Sequence, residues 1–199
     1  TQQYDIKMLR AWSWNHQLIK IYTSGTTGRP QVIALTTSQI CLSAFGSNIR
    51  LGHRLDDCWL ACLPPYHVGG ISTLLRCLFN QTSVYICEPQ RRKLVKAIQK
   101  VSIISLTPTL LNELLDELDD LNRTHPVSDL LVSFDKLRII LVGGGPTSQS
   151  LWQRASKYKL PLRITWGMSE AASQLCTQVE LEKAEMPLPP MPFAEIEHD

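Results

Sequence analysis

The sequence predicts an α/β fold, a mainly parallel sheet with helices on both faces. Two observations predict it. From residue 19 onward, short β-rich runs alternate with helical patterns, the order that parallel strands joined by crossover helices require. At 199 residues and 44% hydrophobic, the chain can also bury the core that such a sheet needs.

Each element has a local reason. Ile19, Lys20, Ile21 and Tyr22 read as a strand that runs into a Gly/Thr-rich turn. Residues 38–49 read as a helix with Ser38 or Thr37 as its N-cap. Residues 58–63 form a short apolar strand stopped by Pro64-Pro65. A second helix follows over 70–79 and a strand over 83–87. Residues 91–100 read as an amphipathic helix and 101–106 as a strand. The next helix, 108–121, has Pro108 in its first turn and an apolar stripe of Leu110, Leu111, Leu114, Leu115, Leu118 and Leu121. A strand over 137–142 ends at Gly143, a helix covers 148–158 and a strand covers 162–165. Four prolines between Met186 and Phe193 exclude a helix there.

Composition narrows the function classes. A formal net charge of +2 is close to neutral, and the densest basic run, Arg91-Arg92-Lys93, reads as a solvated helix face rather than a nucleic-acid patch. The six cysteines include no CxxC pair and no zinc-ligand spacing, and most lie in apolar runs where a thiol acts as a small hydrophobe. That pattern suits a reducing compartment. No run approaches the roughly 18 consecutive apolar residues of a membrane span, and no signal peptide is read at the start. The expectation is a soluble, cytoplasmic protein.

The densest chemistry lies in Tyr22-Thr23-Ser24-Gly25-Thr26-Thr27-Gly28-Arg29-Pro30-Gln31. Glycines let a backbone approach phosphate, hydroxyls and N–H groups donate to its oxygens, and Arg29 adds charge. The same composition also suits an ordinary polar turn, and without a Gly-Lys pair it is not a Walker A loop. His67 in Leu63-Pro64-Pro65-Tyr66-His67, taken alone, reads as a structural histidine sooner than a functional one. Gly143-Gly144-Gly145-Pro146 alone is a strand-to-helix turn, and Glu170 alone a solvated carboxylate. Arg76 lies in an otherwise apolar helical run just after His67. If buried it needs an anionic partner, from a ligand or from the protein; otherwise its head snorkels to the surface.

Together these strings resemble, in the same order, the adenylate-forming superfamily of acyl-CoA synthetases, firefly luciferase and peptide-synthetase adenylation domains. The loop is similar to T-S-G-[TS]-T-G-x-P-K, with Gln31 where that family usually has Lys. Leu63 to His67 resembles L-P-x-x-H, and Trp166-Gly167-Met168-Ser169-Glu170 resembles [YFW]-G-x-[TS]-E. The resemblance spans residues 19–180. It implies that Thr23, Ser24, Gly25, Thr26, Thr27, Gly28 and Arg29 hold the phosphates of ATP. Gly143, Gly144, Gly145 and Pro146 would lie along the adenine, with Trp166 stacking near it and Gly167 and Met168 completing that motif. Ser169 would contact the α-phosphate, Glu170 would hold Mg²⁺, and His67 would shape the acyl site.

Within the superfamily, Ser105-Leu106-Thr107-Pro108-Thr109, the GGGP turn and Gly167-Met168-Ser169-Glu170-Ala171-Ala172-Ser173 are most similar to the o-succinylbenzoate–CoA ligases of menaquinone and phylloquinone synthesis. That resemblance implies a carboxylic acid activated by ATP as an acyl-adenylate and passed to CoA. Thr107 would sit against the acyl group and Arg76 would meet a second carboxylate. On this reading residues 1–18 are an incomplete N-terminal segment, 19–180 the AMP-binding core, and 181–199 a Pro-rich tail leading to a further subdomain. The superfamily's ribose-binding Asp and adenylating Lys are expected outside these residues, so the 199 residues alone are expected to turn over weakly or not at all. Two alternatives stay open: a non-catalytic nucleotide-binding module, which Gln31 favours, and a ligase for a different acid.

Overall fold

The computed structural model describes residues 13–23, 30–124, 134–179 and 188–195. Two strands, β1 (Gln17–Thr23) and β2 (Gln31–Thr36), pair antiparallel as a separate hairpin. The main sheet has six strands: β3 (Cys58–Ala61), β4 (Ser83–Ile86), β5 (Ile103–Leu106), β6 (Ile139–Val142), β7 (Leu162–Met168) and β8 (Ser173–Thr177). Their order is β4-β3-β5-β6-β7-β8, all parallel except the β7–β8 pair. The helices are α1 (Thr37–Leu51), α2 (Val68–Asn80), α3 (Arg91–Ile98), α4 (Pro108–Thr124) and α5 (Gln149–Lys157). None of them is long and apolar enough to cross a membrane.

Strand alternation divides the core into two faces. Leu60, Ile104, Leu106, Ile140, Val142 and Leu162 point to one face, where they bury the apolar stripes of α3, α4 and α5. Trp59, Ile103, Ile139 and Leu141 point to the other and meet Leu51 of α1 and Cys77 of α2. The central strands β5 and β6 are buried at every position, as a sheet covered on both sides demands. The hairpin's Ile21 and Leu35 pack with Ile40 of α1 and with Ile71 and Leu75 of α2.

At the N-terminal edge of the sheet a polar staple joins three strand starts. Asp57 accepts from Arg138 Nε at 2.8 Å, Ser102 Oγ at 2.7 Å and the Arg54 N–H at 2.7 Å, and also pairs with Arg138 Nη2. Arg138 Nη1 and Nη2 donate as well to the carbonyls of Leu51 and Gly52, at the C-terminus of α1 where a cation is favoured. Asp57, Ser102 and Arg138 lie just before β3, β5 and β6, and Arg54 lies in the turn between α1 and β3.

The observed elements keep the order of the sequence reading, with ends that move by up to three residues. The strand read over 58–63 stops at Ala61, and the helix read over 70–79 starts at Val68. Further differences have a clear cause. The N-cap of α1 is Thr36, one position before Thr37 and two before Ser38, because Thr36 and Gln39 form a reciprocal capping box. Strands β2 and β8 were not anticipated. β7 runs three residues past 165, through Trp166, Gly167 and Met168, because β8 supplies an antiparallel partner for that second half.

Candidate active site

Strands β3 and β5 are adjacent, yet their outgoing loops lead to opposite faces, one to α2 and the other to α4. The crevice beyond the carboxyl ends of strands at such a switch is where open α/β sheets bind ligands. A cavity of about 350 Å³ lies there. Its wall includes Leu63 and Pro64 after β3, Thr107 after β5, Gly143 and Gly144 after β6, and Thr165 and Gly167 of β7.

Local chemistry explains how each wall forms. Pro64 ends β3, and its carbonyl accepts from the His67 N–H at 3.2 Å, which tightens the turn into α2. His67 is the N-cap of α2, is exposed, and lies 4.6 Å from Tyr66 between ring centroids. Thr107 Oγ1 accepts from the Leu110 N–H at 3.2 Å, and Pro108 opens α4, an N-cap followed by proline at the first helical position. Gly144 takes φ +80°, which a glycine adopts without strain. Gly167 is held to glycine by contact: a Cβ there would lie 1.6 Å from the Ser173 carbonyl oxygen.

Arg76 reaches the cavity from α2. It is 2% exposed, its Nη2 donates to Ser173 Oγ at 3.1 Å, and its guanidinium carbon lies 5.4 Å from the centroid of the Trp59 ring. Among the described residues it has no carboxylate partner, and its Nε has no acceptor. Burial pushes the guanidinium down to about 10, so it remains charged at neutral pH. A buried cation open to a cavity is a site that attracts an anion.

The structure gathers part of the predicted set. His67, Arg76, Thr107, Gly143, Gly144 and Gly167 line the cavity. Gly145 and Pro146 are exposed on the loop that follows, and Trp166 and Met168 are exposed on the projecting half of β7. Ser169 and Glu170 sit in the 3₁₀ turn Ser169–Ala171, where Glu170 is exposed and has no ion pair among the described residues. Thr23 ends β1, and Gln31 opens β2 as an exposed residue. Ser24, Gly25, Thr26, Thr27, Gly28 and Arg29 lie outside the described residues.

Two buried polar residues of the cavity wall were missed in the sequence. Ser105 and Gln174 are 7% and 5% exposed, and each has a side-chain oxygen without a partner among the described residues. Ser105 had a legible signal, a polar residue inside an apolar strand. Gln174 did not, because its role depends on β8 folding back along β7. There it donates to Thr177 Oγ1 at 2.8 Å.

Residues 6–197 match the AMP-binding enzyme family. The 2-succinylbenzoate–CoA ligase of Bacillus cytotoxicus is 41% identical over 160 residues, which are 79% of this chain and 31% of that protein. The o-succinylbenzoate CoA synthetase of Bacillus subtilis, solved in complex with ATP and magnesium ion, superposes with a TM-score of 0.74 at 27% identity. That match covers 89% of this chain and 37% of the relative. The same enzyme in complex with the acyl-adenylate intermediate gives 0.73 at 29% identity over 84% and 33% of the two chains. The chain thus spans about a third of the length of these relatives. With its crevice at the carboxyl ends of a parallel sheet and a family match along nearly its whole length, this chain belongs to the AMP-binding enzyme family.

Proposed function

We propose that the chain is the acyl- and nucleotide-binding core of an AMP-forming acid–CoA ligase whose acid is o-succinylbenzoate. The carrying observation is Arg76, a buried guanidinium on the cavity wall without a carboxylate partner among the described residues. A dicarboxylate supplies that partner: one carboxyl reacts and the other pairs with Arg76. The relatives are named as 2-succinylbenzoate–CoA ligases, which points to the same acid.

In the first half-reaction the acid's carboxylate oxygen attacks the α-phosphorus of ATP, forming an acyl-adenylate and releasing pyrophosphate. In the second, the CoA thiol attacks the acyl carbon, forming the thioester and releasing AMP. The chain's part is to position groups and stabilise charge. Arg76 fixes the distal end of the acid, Thr107 and His67 shape the acyl path, and residues 143–146 line the nucleotide side. Ser169 and Thr23 to Arg29 address the phosphates. Mg²⁺ would supply charge neutralisation at the phosphates. Glu170 suits it as an exposed hard oxygen donor with no ion pair among the described residues, since Mg²⁺ takes few protein carboxylates beside substrate phosphates. Cytoplasmic location fits thiols that all remain free.

The test is calorimetric titration with two non-hydrolysable acyl-adenylate analogues, one carrying the o-succinylbenzoyl group and one a benzoyl group. Tighter binding of the dicarboxylate-derived analogue, with the preference lost in Arg76→Met, is the expected result. Equal affinity of the unsubstituted chain for both analogues would refute the choice of acid.

A further inference from the structure

Arg76 is buried without a carboxylate partner among the described residues, so other groups there must make its charge tolerable and hold it in place. Its described partners are one hydroxyl, Ser173 Oγ, and the face of Trp59 on the neighbouring strand β3. Trp59 is 1% exposed, and its indole N–H has no acceptor among the described residues. Hydrogen bonding therefore does not explain a buried tryptophan here. What the ring presents to Arg76 is its π face.

Further contacts orient the ring. His53 packs edge-on against Trp59, with centroids 5.0 Å apart and planes at 82°. The His53 Nδ1 lies 2.9 Å from Asn80 Nδ2, and Asn48 Nδ2 donates to Asn80 Oδ1 at 2.7 Å. These contacts run from the C-terminal ends of α1 and α2 through the imidazole to the indole and on to the guanidinium. Burial first, and Arg76 second, push His53 down to about 4, although Asp57 opposes them and Arg138 adds to the fall. At neutral pH the imidazole is uncharged, so the indole has a cation near one side only.

We propose that Trp59 is a positioning residue for the acid: its π face takes the place of a counterion and aims the Arg76 guanidinium at the distal carboxylate of the substrate. The arrangement is strong enough to hold the arginine in an apolar wall and weak enough to leave it attractive to an anion. A protein carboxylate in that place would neutralise the site. Trp59 does not touch the acid and acts through Arg76. The inference rests on the dicarboxylate reading above.

The test compares affinity for the o-succinylbenzoyl and benzoyl adenylate analogues in the unsubstituted chain, Trp59→Phe and Trp59→Met. A purely structural tryptophan would weaken both analogues alike. The proposal requires the selectivity ratio to fall on the order of tenfold in Trp59→Met, where no π face remains. Trp59→Phe, which keeps a weaker face, should restore part of it. If Trp59→Met does not fold by circular dichroism, the ratio in Trp59→Phe is read instead and should fall by less. A ratio unchanged in the folded variants overturns the role of Trp59 while leaving the choice of acid standing. A ratio of one in the unsubstituted chain overturns both.

Discussion

Replacing Asp57 by Asn should remove the polar staple at the N-terminal edge of the sheet, and the effect should depend on pH. Burial alone would raise this carboxyl. Hydrogen bonds from Arg138, Ser102 and the Arg54 N–H, with the charge of Arg138, outweigh it and bring the group from 3.8 down to about 2. That drop corresponds to about 2 kcal/mol in favour of the folded, ionised form. Because the folded value is the lower one, this stability is present above pH 4, about half gone at pH 3, and lost toward pH 2. The substitution also leaves Arg138 beside a neutral amide, so at pH 7 the total cost should be about 3 kcal/mol. Urea unfolding followed by circular dichroism, for both proteins between pH 7 and pH 3, measures the difference directly. The gap should hold from pH 7 to pH 5 and narrow below pH 4. A gap of the same size at pH 3 as at pH 7 would refute the reasoning, since it would show that charge at Asp57 is not what stabilises the sheet.

Two further substitutions probe local geometry. Gly167→Ala should cost about 3 kcal/mol or more and lower the thermal midpoint sharply, because the added Cβ meets the Ser173 carbonyl at 1.6 Å. Thr36→Ala should cost about 1 kcal/mol in urea unfolding by removing one half of the α1 capping box, whereas Ser38→Ala should cost less.

The parts of the fold that follow from local patterning were legible in the sequence. Pro108 and the leucines of α4 announce a helix through spacing alone, and the core strands β5 and β6 are mostly apolar runs of strand length. Strand β8, Ser-Gln-Leu-Cys-Thr, was not legible, because it is held by distant partners: Thr177 and Gln174 bond to Thr165 on β7, and Ser173 accepts from Arg76 of α2. Strand β2 follows a proline and a stretch rich in Gly and Thr, and takes its structure from pairing with β1. The site divides in the same way. Arg76 and His67 stand out as residue types in an unusual setting, while the ring that faces Arg76 is brought to it from β3. Such tertiary contact leaves no local trace in the sequence.

Helix α2 has one further consequence. Gly69 and Arg76 are seven residues apart, two helical turns, and both line the cavity. Their separation along the axis, about 10 Å, is fixed by the backbone. The helix therefore works as a ruler whose divisions are turns. Side-chain changes can adjust what is recognised at either end, but lengthening the cavity along this wall takes the insertion of a turn, about 5.4 Å at a time. Acids of intermediate length would have to be met by exchanging the residue at position 76 for a shorter or longer cation.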